Sequence, residues 1–380
     1  MKRSLPVVLA CVVLLAACGG SPVGAPASSG ISPSAPAGDW QTKWNNLIAA
    51  AKKEGTLTIA IGPGGGPAAR QSLPPAFKQD FGIDMQILVA SAPELVTRAK
   101  LEQSAGQQSF DALLLGADSM YASFYGEKLI EPLRPALIHP DALDGSKWVT
   151  GKPWFMDPDE QYILRVSNGL SGFTSVNTDS VSPADLAAWQ DLLKPQFKGR
   201  IMSYDPTING SGAQHAAFLE YTLGDDFVRQ LYKGQQMVIT KDTNQFADWL
   251  GHNKYPIALA MPSSSVESLR KDGLRVEVVT FKEHPAYLTA GSGLLAKLKS
   301  PPHPNAAALF ANWMAMDRGQ TVWNASQGYV GSRTSLKNDW VPDYVRPKPG
   351  VDYLDTYRWD YVEHTYPDNL KKVRQAIGAG

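Results

Sequence analysis

Ser211, Gly212 and Ala213 follow a strand-like run, Gly199 to Ser203, and precede a helical stretch holding Phe218 and Leu219. Unpaired amides at a helix start, with a hydroxyl beside them, attract phosphate or carboxylate, so this turn is a candidate for solute contact. A plain helix cap made by Ser211 accounts for the same residues without any ligand. Asp242, in Thr240-Lys241-Asp242-Thr243, would repel an anion and so asks for a cationic group on the solute or an intervening water. The loop Gly62-Pro63-Gly64-Gly65-Gly66-Pro67 lacks the Gly-Lys-Ser/Thr ending of a triphosphate cradle and no dinucleotide fingerprint follows it, which excludes nucleotide binding. Its glycines either let the backbone approach a solute closely or simply turn the chain.

Enzyme chemistry finds little support in the same inspection. The six histidines, His139, His215, His252, His284, His303 and His364, show no metal-ligand spacing, and none lies near a Gly-x-Ser-x-Gly elbow. His215, close to Ser211, reads as a neighbour of that cap. Asp157, Asp159 and Glu160 can be read as an acid and base pair of a glycosidase, but clustered surface carboxylates explain them equally. Trp154, Phe155, Asp157 and Tyr162 can form an aromatic wall with a carboxylate for an ammonium group, or can serve packing. Arg333 is read as a structural ion-pair partner.

The elements that must position these residues alternate. Leu47, Ile48 and Ala51 mark a helix stopping at Gly55, and Leu57 to Ile61 a strand. A helix holding Phe77, a strand at Met85 to Ala90, a helix capped by Ser91 with Glu94 three residues on, and a buried strand at Ala112 to Leu115 follow. This order implies a mainly parallel sheet with helices on its faces. A second unit begins near Phe173, with a helix capped by Ser182 and ending before Pro195, and strands at Gly199 to Ser203, Ile257 to Ala260 and Arg275 to Val279. Leu309, Phe310, Trp313 and Met314 then mark a late core helix, while the Tyr-, Trp- and Pro-rich tail from Trp340 to Tyr366 suggests irregular packing over both units.

The 380 residues carry 36 basic and 36 acidic side chains with no long block of like charge, which argues against nucleic acid. Lys2 and Arg3 precede an apolar stretch from Leu5 to Leu15, too short for an ordinary membrane span, which fits an export signal over 1–17. Leu15-Ala16-Ala17-Cys18 resembles the lipobox of bacterial lipoproteins, which implies a lipid on Cys18 and a protein held at the outer face of a membrane or in a periplasm. Residues 18–39 are composed as a flexible tether. With Cys11 and Cys18 accounted for, no cysteine remains for a disulfide or thiolate metal site.

Several segments in order resemble the type 2 periplasmic solute-binding proteins of ABC importers, in the branch of ferric-ion, thiamine, polyamine and phosphonate binders. They are Trp44 to Gly55, Phe77 with Phe81-Gly82-Ile83, Val176-Asn177, Trp189 to Pro195 with Lys198-Gly199-Arg200-Ile201, Gly319-Gln320, and Ser332-Arg333. The resemblance implies an α/β fold of two lobes, 40–172 with 292–338 and 173–291, the segment 339–380 packing on both. Hinge strands would cross near Gly172 and return near Ser292. It also implies a solute in the interlobe cleft, an ABC permease and its ATPase as partners, a monomer, no cofactor and no enzymatic activity. Because open α/β sheets bind ligands beyond the carboxyl ends of their strands, one rim would hold Gly64, Gly65, Ser91 and Asp118, the other Ser211, Gly212, Ala213, Asp242, Met261, Ser263 and Ser264. Relatives grip an anion with a Ser-Gly-Ala turn like 211–213. Where the ferric branch has hard ligands, this chain has Gly64-Gly65, Gly116-Ala117 and Ser263-Ser264, which cannot neutralise Fe(III). An organic solute, zwitterionic or anion-bearing, fits these small residues better; an extracellular lipoprotein hydrolase and a ferric carrier are the alternatives.

Overall fold

The computed structural model describes residues 37–63, 65–208 and 210–378. The expected signal at 1–17, Cys18, most of the tether and Gly64 lie outside them. A helix, Ala37–Glu54, starts ahead of Trp40 and stops at Gly55 as its spacing requires.

The first sheet has six strands. Asp84–Val89, Thr56–Ile61 and Ala112–Leu115 are parallel neighbours, and Leu294–Leu298 then runs antiparallel against Ala112–Leu115. All four residues of Ala112–Leu115 are buried, as expected of a strand covered on both faces. Helices Gly66–Phe81 and Pro304–Met314 pack Phe77, Phe310 and Trp313 edge-on to one another, and the Trp313 indole donates to Asp80 at 2.8 Å. The second sheet has five strands. Ile257–Leu259, Ile201–Tyr204 and Val238–Thr240 are parallel neighbours in it, with Thr174–Asn177 and Val276–Val279 antiparallel on its other side. Each sheet thus has a parallel half running to one edge and an antiparallel flank on the other side, a mixed pattern that contains the parallel strands the sequence suggests.

A third, small sheet lies where the hinge is expected. Gly169–Ser171 and Tyr287–Thr289 pair antiparallel, and Leu354–Asp355 from the tail adds a third, parallel strand to them. Gly172, at φ 89°, closes this crossing: a β-carbon there would lie 2.5 Å from the Tyr287 ring.

One expectation needs correction. The helix foreseen between Ser182 and Pro195 is three short 3-10 turns, because the Asp191 carboxylate takes the Ala187 and Ala188 amides at 2.8 and 2.9 Å and restarts the chain. Leu186 and Trp189 are still buried. The tail from Trp340 to Tyr366 holds only short turns and the two-residue strand Leu354–Asp355. A helix, Tyr366–Ile377, follows, lying along Ser211–Arg229, with Leu370 and Val373 buried. Pro367 in the first turn and the spacing of Tyr366, Leu370, Val373 and Ile377 are the signal that was available.

Candidate solute-binding site

The carboxyl ends of the parallel strands supply the loops at which a ligand is expected. In the second sheet, Ile201–Tyr204 runs into Asp205, whose carboxylate accepts from the Thr207 amide at 2.8 Å and hydroxyl at 2.6 Å. That turn delivers the chain to the helix Ser211–Arg229. The Gln214 amide donates to the Gly210 carbonyl at 3.0 Å, and among the described residues no backbone acceptor takes the amides of Ser211 and Gly212. A β-carbon at Gly212 would lie 2.6 Å from the Tyr204 carbonyl oxygen, so this helix can start so close to the strand only with glycine there. The Ser-Gly-Ala turn therefore has a packing role whatever it binds. Ser211, half-buried, borders a hollow of about 220 Å³ with Gly210, Gly212, Thr240, Lys241, Thr243 and Pro262.

Other expected members of this rim face elsewhere. The Asp242 carboxylate caps the helix Thr243–Gly251, accepting from the Asn244 and Gln245 amides at 2.9 and 3.0 Å. Met261 is buried with Phe246 and Leu250 beneath the hollow. Ser263 and Ser264 open the helix Ser263–Lys271, half-buried and exposed respectively, next to Pro262.

On the first sheet, Ser91 makes the expected cap: its amide and its hydroxyl both donate to Glu94 at 2.8 Å, and these bonds hold the Glu94 carboxyl below its usual range. The Gly65 carbonyl accepts from the Gln327 side chain at 3.2 Å. Asp118 differs from both. It opens a short π-helical segment, Ser119–Tyr125, and burial pushes its carboxyl up to about 6. Asp118 and Gln214, one from each rim, meet across a narrow gap closed by Thr356, Tyr361 and Tyr366 of the tail. Ala213 and Ala217 share one apolar cluster with Leu115, Ala117 and those two tyrosines. The structure thus brings Asp118 together with the Ser211 helix and leaves Gly65, Ser91 and Asp242 in structural duties.

The remaining candidates are structural too. Asp157 accepts the amides of Gln161, Tyr162 and Ile163 at 2.8 to 2.9 Å, while Glu160 meets Lys152 and Asp159 takes the Tyr125 hydroxyl. No acid and base pair is formed by these carboxylates. Trp154 lies under the Arg165 guanidinium, 4.1 Å away. Arg333, buried, bonds to Asp141 and Asp317 and donates to the Ala315 carbonyl at 2.9 Å. His215 does not cap its helix: it is buried between Trp189 and Phe218, and this burial holds its pKa down, to about 3. Among the described residues no group of three His, Cys, Asp or Glu is arranged to hold a metal, and no helix is long and apolar enough to cross a membrane.

The sequence profile of the bacterial extracellular solute-binding proteins matches residues 75–347, well over half of the chain, with all of the second sheet and every strand of the first except Thr56–Ile61. The chain belongs to that family. Among curated proteins no sequence match is found. Solved structures of type 2 periplasmic binding proteins share the fold of this solute-binding protein. Iron-bound HitA from Pseudomonas aeruginosa superposes with a TM-score of 0.63 at 16% identity, covering 84% of this chain and 99% of its own. AfuA from Actinobacillus pleuropneumoniae, with fructose-6-phosphate bound, gives 0.62 at 17%, covering 86% and 99%. The Trichodesmium protein in complex with iron and citrate gives 0.59 at 14%, covering 85% and 99%. Tyr361 and Tyr366, which close the gap, lie beyond the stretch that the profile matches, and sequence reasoning missed both because nothing local ties the tail to the rims.

Proposed function

We propose that this protein is the substrate-binding component of an ABC importer. It captures a small organic solute between the two rims and hands it, unchanged, to a membrane permease and its ATPase. The observation that carries the reading is the hollow at the Ser211 helix start, on a helix whose Gln214 meets Asp118 of the other sheet, in a chain of the solute-binding family. In this reading the amides of Ser211 and Gly212 and the Ser211 hydroxyl hold an anionic group; AfuA, which shares the fold, has fructose-6-phosphate bound. Gly64, Gly65, Ser91, Asp242, Met261, Ser263 and Ser264 form the surrounding rim. Residues 1–17 direct export and a lipid on Cys18 tethers the monomer outside the membrane.

A thermal-shift screen of the full chain against carboxylates, phosphonates, sugars, amines, polyamines and thiamine tests this, since a ligand of the folded state raises the midpoint by mass action. At least one class is expected to raise it, and Ser211→Asp is expected to abolish the shift caused by an anionic ligand. An unchanged shift in that variant contradicts the helix-start site; a screen without any shift contradicts the reading as a whole. Iron is not the expected cargo, because Gly65, Gly116, Ala117, Ser263 and Ser264 bring no hard ligand. Ferric citrate should therefore leave the visible spectrum free of a tyrosinate-to-iron band, and a red band would overturn this exclusion.

A further inference from the structure

Asp118 borders a hollow of about 350 Å³ and, beside it, the narrow interlobe seam with Gln214, which is too tight for a water molecule. The hollow lies between the start of the helix Ala92–Ser104 and the segment 119–123 on one side and the tail on the other. Its polar edge is made by Asp118, Ser119, Ser123 and Glu363, and its apolar walls by Pro93, Val362 and the Tyr366 ring. Among the described residues no Lys, Arg or His lines either space. Asp118 makes no hydrogen bond or ion pair to another described side chain, and no cation acts on it: burial alone, opposed weakly by its own backbone, sets its acidity. Tyr366 is 7% exposed, borders both spaces, and its hydroxyl has no hydrogen-bond partner. Among charged groups, Asp118 acts on it most strongly.

A half-buried carboxylate without a counter-charge, a second carboxylate on the same wall and an aromatic ring beside them are the elements of a site for an organic cation. Both carboxylates repel an anion, and the aromatic and proline walls favour an alkyl-substituted cation over a bare metal ion. The opposite rim has the opposite character, with the Ser211 helix start and Lys241. Gln214 in the gap stands three residues along the same helix from Ser211, a rise of about 4.5 Å, so the two polarities are a short molecule's length apart.

We infer that the solute carries an ammonium group, which enters between Asp118 and the tail and is held by Asp118, Glu363 and the Tyr366 ring. The tail, outside the stretch that matches the family profile, thereby supplies half of the site. This rests on the solute-binding reading above and narrows its ligand to a cation-bearing one.

Titration calorimetry of the full chain tests it with choline and putrescine as probes, each paired with a neutral counterpart, 3,3-dimethylbutan-1-ol and butane-1,4-diol. At least one cation is expected to bind, at least tenfold more tightly than its counterpart. Asp118→Asn, which keeps the shape and removes an unpaired charge, should weaken it at least tenfold, and Glu363→Gln about threefold. Equal binding of the neutral counterpart, unchanged affinity in Asp118→Asn, or no binding of either cation overturns the inference. In each of those cases a ligand found in the broader screen leaves the solute-binding reading standing, so the two failures are distinguishable.

Discussion

Arg165→Ala is expected to destabilise the protein by about 3 to 5 kcal/mol and to loosen its last thirty or so residues, because it breaks a buried ion pair from one side. The Arg165 side chain is fully buried and grips both oxygens of Asp355, at 2.8 and 2.9 Å. It also donates to the Ser167 carbonyl at 3.0 Å and the Asn168 side chain at 3.2 Å, and stacks on Trp154. Alanine leaves the Asp355 carboxylate, 12% exposed, without its counter-charge. Asp355 is in the strand that joins the tail to the hinge pair, so its release should also expose the segment from 354 to 366 to protease. Urea unfolding and limited proteolysis check both effects. Arg165→Lys keeps the charge but loses the planar guanidinium on Trp154 and its separate donors to Ser167 and Asn168, and should recover only part of the loss. A change below 1 kcal/mol for alanine would show that the tail is not held by this pair.

His215 should make the protein acid-labile, and His215→Phe should remove that lability. The folded state holds the imidazole pKa down at about 3, against 6.5 in an unfolded chain, because the ring is buried among aromatic neighbours. Below pH 6.5 the unfolded chain takes up a proton that folded His215 refuses until near pH 3, so its stability contribution is complete above 6.5 and is lost as pH falls. By pH 4.5 the loss is about 3 kcal/mol, at 1.4 kcal/mol per pH unit. Phenylalanine has no proton to take up and should flatten the melting profile between pH 7.5 and 4.5. Asp118 acts with the opposite sign, since a carboxyl raised to about 6 costs stability as pH rises above 4 and through 6. Asp118→Asn should accordingly raise the melting temperature at pH 7 and leave it unchanged at pH 4. Identical profiles for His215→Phe and the wild type would remove buried His215 as the source of acid lability.

What the sequence discloses and what it hides follow a physical division. Local patterns were legible: the parallel strands, the Ser91–Glu94 cap and the late helix with Phe310 and Trp313. The rim position given to Asp118 came from the family resemblance together with strand order, because ligands of open α/β sheets sit beyond the carboxyl ends of the strands. Asp242 looked like a solute contact, yet Asp is a common helix cap, and the amides that occupy it are two and three residues away. The 182–195 segment misled because its apolar spacing suits a helix as well as the successive 3-10 turns that Asp191 imposes. The tail was least legible. Arg165 and Asp355 are 190 residues apart, and no local spacing encodes such a pair.

The central claim is that one small molecule sits between the rims and leaves unaltered. Equilibrium titration of the full chain with the best compound from the screen, followed by mass analysis of the compound recovered from the denatured complex, measures this directly. The account predicts one molecule bound per chain, returned with its original mass. A recovered product of different mass, or saturation without a defined stoichiometry, would contradict it.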